Sequence, residues 1–516
     1  FHWEIEFPEA FERDNAGFDV IIGNPPFMGG KRISGSLGDG YAKWLTTVHA
    51  GASGNTDLVA HFYRRAFELL RDGGAFGLIA TKTVAQGDTR RGGLAWLGMH
   101  GGEIINARRR VKWPGTAAVI VSVVVMTRGD TGVMRFIDNK PVDFISAFLS
   151  HRGTHEDPAR LVSNLNRSYI GCDIKGQGFL FADDDQEATP ISVMQRLIAA
   201  DPRNSQCLRP YIGGEELNTS PTQSHHRWVI HFGEMDEAQA REWPELLRIV
   251  EEKVKPERAT KSKDLAEWPW WRFWRVRGEL ENACRGLDEV LAVAQTADVL
   301  AFTFVRLPMT FSHTVVVFPS RARAFFAVLQ SRIHESWARF FAATMKDDAR
   351  YIPKDCFETF PFPDNWEANP VLKAAGTTYH EFRTVLMVQN NEGLTKTYNR
   401  FHDPDERDPD ILKLRELHAA MDRAVLDAYA WSDIKTDCDF ILDYEIDEEE
   451  WGDKKKPWRY RWPDDVRDEV LARLLELNGK RAKGEARSGA AAVKNEAKKP
   501  RAKRAVAVSD TKELFS

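Results

Sequence analysis

Cysteine is scarce in this 516-residue chain: Cys172, Cys207, Cys284, Cys356 and Cys438 are odd in number, scattered and never in a Cys-x-x-Cys pair. That argues against a disulfide framework and a structural zinc site, and a reducing cytoplasm is the simplest compartment. Long apolar runs are lacking too. The longest, Thr116 to Met126, is too short to span a bilayer, and the first residues show no signal-peptide pattern, so no membrane association is expected. Neither charge sign dominates. A net charge of −5 provides no overall basic field, so contact with a polyanion must come from local patches. Glycine-rich nucleotide turns are also missing: Gly176-Gln177-Gly178 is a lone Gly-x-Gly without a strand-turn-helix unit and reads as a loop.

What the chain does have is 43% apolar residues, enough for the cores of two to four domains. Its first clear element is Phe18 to Ile22, an apolar run that predicts a parallel-sheet strand covered on both faces. Gly23 allows a turn, and Asn24-Pro25-Pro26-Phe27 then forms a rigid polar corner at the strand's carboxyl end, where open α/β sheets bind ligands. Met28 to Thr56, with seven glycines between Gly29 and Gly54, predicts a mobile loop beside that corner. Leu58, Phe62, Ala66 and Leu69 in Asp57 to Arg71 have helical spacing, with Asp72-Gly73-Gly74 as a carboxyl cap. Ala75 to Ala80 is the next strand. Glu103 to Ala107 and Ala117 to Thr127 predict an antiparallel hairpin around Lys112-Trp113-Pro114-Gly115.

The corner Asn24, Pro25, Pro26 and Phe27 resembles the catalytic motif of the amino-methylating DNA methyltransferases, Asn/Asp/Ser-Pro-Pro-Tyr/Phe/Trp. The resemblance implies S-adenosyl-L-methionine as cofactor, Asn24 beside it, and an exocyclic base amine as acceptor. The Asn24 side-chain oxygen and the Pro25 carbonyl would hold the amine's hydrogens and stabilise the positive charge that develops on nitrogen. Phe27 would stack on a base flipped out of double-stranded DNA, and Trp113 could supply a second stacking surface or simply pack under its turn. In that family an earlier strand and a Phe-x-Gly-x-Gly turn grip the cofactor. Neither is found here, so the expectation is the carboxyl-terminal part of a methyltransferase, paired with a missing amino-terminal half or another subunit. Protein-glutamine methyltransferases use a similar corner, but Phe27 and the large region that follows argue against that substrate.

Beyond a crossing near Ser168 to Asp185 the composition changes. Pro210 to Asn218, Trp268-Pro269-Trp270-Trp271-Arg272-Phe273-Trp274-Arg275 and Tyr351 to Pro363 resemble the target-recognition region of the type IIG restriction-modification enzymes and their phage-defence relatives. By that resemblance Trp270, Trp271, Arg272, Lys346, Arg350 and Lys354 are candidate DNA contacts, the last three just after a helix-like run from Ala322 to Phe341. Singly, each tryptophan reads as core and each arginine as solvated rim; together they suit phosphate and base-edge contact.

The expected architecture is α/β: residues 1–180 form the second half of a class I (Rossmann-like) methyltransferase domain with a parallel-rich sheet, 181–373 a mixed α+β target-recognition domain, 374–478 a helical region and 479–516 a disordered basic tail. Ile411 to Ala430 and Asp464 to Leu477 are its clearest amphipathic stretches. Two functions follow: an adenine-specific DNA methyltransferase of a restriction-modification or phage-defence system, or a truncated or split subunit that binds DNA but is not competent alone. Nuclease activity is not expected. The sole Glu-x-Lys considered for it, Glu251 and Lys253, lies in a helical pattern without a partner strand.

Overall fold

The apolar run ending at Gly23 forms β1 (Phe18–Gly23). The structure, a computed structural model, describes residues 2–112, 120–345, 348–442 and 456–489. Where the glycine content predicts a mobile loop, the chain forms two helices, α1 (Gly30–Leu37) and α2 (Asp39–Val48). Ile33 and Leu45 bury together with Leu58, and Met28 and Ala42 pack against them. A few apolar contacts thus hold an otherwise polar helix pair down on the domain.

Helix α3 (Leu58–Leu69) starts at Asp57, whose carboxylate accepts the Val59 N–H, and buries Val59, Tyr63, Ala66 and Phe67. It runs straight into β2 (Leu70–Thr81), so Asp72-Gly73-Gly74 lies within the strand and not at a helix cap. Gly74 is required there because β1 comes close: a Cβ would sit 2.8 Å from the Phe18 carbonyl oxygen. The β1–β2 register shifts at this point, between Phe18 and Val20, and then runs parallel from Val20↔Ala75 to Gly23↔Leu78.

The expected hairpin is present as β3 (Gly102–Lys112) and β4 (Ile120–Arg128), paired antiparallel. β4 also pairs antiparallel with β2, and β5 (Arg135–Ile137) and β6 (Lys140–Val142) complete the order β1-β2-β4-β3-β5-β6. Two pairings, β1–β2 and β3–β5, are parallel and the other three antiparallel, so the sheet is mixed and not parallel-rich. Nor is β1 covered on both faces. It is one of the two edge strands among the described residues; Ile21 packs on the core, but Val20 is 59% and Ile22 83% exposed because no described element lies over them.

The second module begins ahead of residue 180. Tyr169–Ile170 already pairs with Val315–Phe318 in a four-stranded sheet that includes Glu289–Ala294 and Thr303–Arg306. A second sheet joins Leu180–Phe181, Arg227–Ile230, Leu208–Ile212 and Thr310–Phe311, and α4 (Pro244–Ala259) buries Leu246, Val250 and Val254 in the core it shares with Phe179, Phe181 and Val229. Gly176-Gln177-Gly178 lies at a single 3-10 turn, Gln177–Phe179. The helical run after Ala322 is two helices, α5 (Arg323–Gln330) and α6 (Arg332–Phe341), broken at Ser331, whose hydroxyl accepts the His334 N–H.

Helices α7 (Pro370–Asn390) and α8 (Pro409–Ala428) share one large core with α5 and α6, through Phe326, Trp337, Tyr379, Leu386 and Met421. An unanticipated antiparallel pair follows, β7 (Asp439–Leu442) with β8 (Trp458–Arg461). Then α9 (Asp464–Arg487) carries the helix well past Asn478, into the stretch that composition marks as tail. Its extra turns are held by partners remote in sequence: Arg481 pairs with Asp364 at 2.6 Å, and Glu485 accepts the Val162 N–H at 2.8 Å. Residues 490–516 lie outside the described residues. Among the described residues no helix is long and apolar enough to cross a membrane.

Candidate active site

The four residues of the corner follow directly from the end of β1. Asn24 is exposed, Pro25 buried, Pro26 exposed and Phe27 37% exposed, so the amide and the ring face outward while Pro25 anchors the turn. The next residue is gripped at both backbone groups: the Met28 N–H donates to Asp57 Oδ1 at 3.1 Å, and the Met28 carbonyl accepts the Leu58 N–H at 2.9 Å. Below this clamp His49, at the end of α2, and His61, on α3, share a hydrogen bond between their Nδ1 atoms at 2.8 Å. Burial above all, with Arg64 and Arg65 beside His49 and with His49 and Arg64 beside His61, pulls both imidazoles down to about 4. Arg64 lies over the Trp96 ring at 3.6 Å and donates to the Ala50 carbonyl at 2.8 Å, fixing the same corner of the domain.

Beside the corner a cavity of about 880 Å³ opens between the first sheet and the carboxyl-terminal elements. Asp57 borders it, as do Thr81, Lys82 and Thr83 at the carboxyl end of β2, Arg109 and Arg110 of β3, Arg332 and Arg339 of α6, and Phe440, Trp458, Arg459, Tyr460 and Arg461 of β7 and β8. Cations outnumber carboxylates on this wall, and aromatic rings alternate with them. The arginines of β3 are held by α9: Asp468 accepts from Arg109 at 2.8 Å and from Arg110 as well, and Asp464 lies 3.5 Å from Arg110. Burial lowers the Arg110 guanidinium's affinity for its proton, but Asp468 first and then Asp464 and Asp138 more than offset this and raise it above its ordinary value.

The other candidate residues fall in separate places. Trp113 and Lys346 lie outside the described residues. Trp270 and Trp271 are half-buried against the recognition core; their rings meet edge-on at 5.5 Å, the Trp271 indole N–H donates to the Met235 carbonyl at 3.1 Å, and the Lys255 ammonium sits 5.1 Å from the Trp270 ring. Arg272 pairs with Glu234. Arg350 donates to Gln295 Oε1 at 3.2 Å, and Lys354 is exposed. Glu251 pairs with Lys255 along α4, and the Lys253 ammonium donates to the Ala188 carbonyl at 2.8 Å. Among the described residues no group of three or more His, Cys, Asp or Glu side chains could hold a metal ion.

Asp57 and the arginine wall are the residues that motif reading passes over. The run Arg108-Arg109-Arg110 and the alternation Trp458-Arg459-Tyr460-Arg461-Trp462 were the available signals, the latter a strand presenting two aromatics on one face and arginines on the other.

A mixed sheet whose first strand ends in the Asn-Pro-Pro-Phe corner is thus followed by a two-sheet module. Residues 1–94 match the Eco57I restriction-modification methylase family, and residues 157–364 match the MmeI target recognition domain. No curated protein matches the sequence. Of solved structures, the type IIL restriction-modification enzyme MmeI in complex with DNA is similar over 93% of this chain, at 19% identity and a TM-score of 0.57. The type IIG restriction endonuclease BpuSI aligns over 82% of this chain and 56% of its own, at 11% identity and a TM-score of 0.30. A Listeria monocytogenes protein assigned to the class I S-adenosylmethionine-dependent methyltransferases aligns over 24% of this chain and 38% of its own, at 14% identity and a TM-score of 0.19. The chain spans 59% of the length of the MmeI chain, with which it shares its fold.

Proposed function

We propose that this chain carries the methyl-acceptor side and the DNA-recognition side of a site-specific DNA methyltransferase of a restriction-modification system, acting on the exocyclic amine of adenine. The observation that carries this reading is the corner: Asn24 and Phe27 present exposed side chains at the carboxyl end of β1, with Pro25 buried and Met28 clamped behind them. The Asn24 amide oxygen and the Pro25 carbonyl accept the two hydrogens of the amine and favour a nitrogen whose lone pair is available. Both are neutral acceptors placed where positive charge grows, so no strong base is required. Phe27 stacks on the extruded base, and the arginine-rich cavity wall suits the phosphates of the strand from which the base is turned.

When bound, S-adenosyl-L-methionine supplies the electrophilic methyl group. The donor set fits a cationic sulfonium: an exposed neutral amide and a backbone carbonyl at an open sheet edge. Asn24 is the residue of this chain that would border it. Methylation-sensitive sequencing of DNA from cells with and without the complete gene tests the proposal; identical adenine methylation in the two would refute it.

A second reading, a DNA-binding part that is not catalytically competent alone, is favoured by one observation. β1 is a terminal strand of its sheet, and the face carrying Val20 and Ile22 is apolar and exposed, which suits further elements supplied in cis or in trans. Reconstitution with the rest of the enzyme separates the two readings: methyl transfer that Asn24→Ala in this chain abolishes supports the first, and DNA binding with transfer indifferent to Asn24→Ala supports the second.

A further inference from the structure

Asp57 is assigned no role by the methylase motif, yet it lies under the corner. Its Oδ1 accepts two backbone N–H groups at once, Val59 at 3.0 Å, which caps α3, and Met28 at 3.1 Å, immediately after Phe27. The Leu58 N–H returns a bond to the Met28 carbonyl at 2.9 Å, so residue 28 is held from both sides. Asp57 is itself fixed, being 9% exposed with its own N–H donating to Thr89 Oγ1 at 3.1 Å. The chain beyond is pressed into place as well: a Cβ on Gly30 would meet the Gly54 carbonyl oxygen at 2.3 Å.

We infer that Asp57 is a positioning residue for the catalytic corner, setting the direction in which Phe27 leaves the turn and so the placement of the stacked base. The inference rests on the methyltransferase reading for its consequence, but not for its geometry. One carboxylate oxygen ties the corner to the helix that supports the sheet, so a shift of α3 is passed to the ring of Phe27 through two hydrogen bonds. Asn at this position keeps an acceptor oxygen in the same place. Ser keeps the helix cap but is too short to reach Met28 as well.

Hydrogen exchange of the full chain reads the clamp without any need for methylation. Asp57→Ala should raise exchange at the Met28 amide by about tenfold or more, Asp57→Asn should restore protection, and Asp57→Ser should keep α3 protected while Met28 opens. Unchanged Met28 protection in Asp57→Ala, or equal loss along all of α3, would overturn the inference. In single-turnover methylation of plasmid DNA by the complete enzyme, Asp57→Ala should lower the rate at saturating DNA by about tenfold while Asp57→Asn stays near wild type; Ala and Asn variants falling alike would also overturn it. Should wild-type enzyme transfer no methyl group, the functional reading fails and the exchange result alone decides the role of Asp57.

Discussion

Arg110 of β3 and Asp468 of α9 form an ion pair across 358 residues of sequence, and Asp468 accepts from Arg109 as well. One carboxylate therefore holds two guanidiniums at the seam between the first sheet and the carboxyl-terminal helix.

Removing that carboxylate leaves both guanidiniums half-desolvated beside each other. Asp468→Ala should cost about 1–3 kcal/mol of local stability, more than an exposed pair would, and hydrogen exchange should rise first in the opening turns of α9. A double-mutant cycle with Arg110→Ala measures the pair; a coupling indistinguishable from zero would contradict it.

At the corner the two exposed side chains should fail differently. Under the proposed function Asn24→Ala removes an acceptor used mainly as charge develops, so turnover in the complete enzyme should fall by about 10²–10³ with DNA affinity little changed. Phe27→Ala should instead weaken capture of the flipped base by roughly 1–3 kcal/mol. Fluorescence of 2-aminopurine at the target position, followed in single-turnover methylation, reports both steps.

Cofactor binding should depend on what completes the sheet at β1. The 516-residue chain alone should bind S-adenosylmethionine weakly and transfer no methyl group, and activity should appear when the rest of the enzyme is supplied in cis or trans. Ile22→Lys, on the uncovered face of β1 where the side chain is 83% exposed, should leave the melting temperature of this chain unchanged yet block that reconstitution.

The pair His49 and His61 makes stability depend on pH. Both are held at about 4 in the folded chain, against about 6.5 when unfolded, so between these values the unfolded state binds more protons. Stability should therefore fall as pH drops from 6.5 towards 4 and level off below. Thermal melts of a His49→Asn/His61→Asn double variant should show a shallower dependence over that window.

How much of this was legible in the sequence follows from how local each signal is. The corner, α3 and the β3–β4 hairpin are written in contiguous residues, and each is found where its pattern places it. Helices α1 and α2 were hidden by glycine, because what holds them is a few apolar contacts, Ile33 and Leu45 with Leu58, made across the loop. That β1 lies at an edge could not be read from Phe18 to Ile22, since the same apolar run serves a strand covered on one face or two. The last turns of α9 look like a solvated basic tail until Asp364 and Val162 are brought to them. Asp57 stands in the sequence only as the first residue of a helical run; its bond to Met28 depends on the chain folding back over 29 residues.

Helix α9 is 24 residues long, a span of about 36 Å. Its first turns are bound to β3 by Asp468, and its last turns to the segment matched by the recognition-domain family. There Asn478 donates to the Thr359 carbonyl at 2.7 Å and accepts the Ala159 N–H at 2.9 Å. A specificity swap made by exchanging residues 157–364 alone would therefore cut through half of a fastening, leaving Asn478, Arg481 and Glu485 facing a foreign surface. Chimeras that move α9 together with the recognition module would instead have to rebuild its bonds to Arg109 and Arg110 of β3, to His151 and Arg152, and to Asp433.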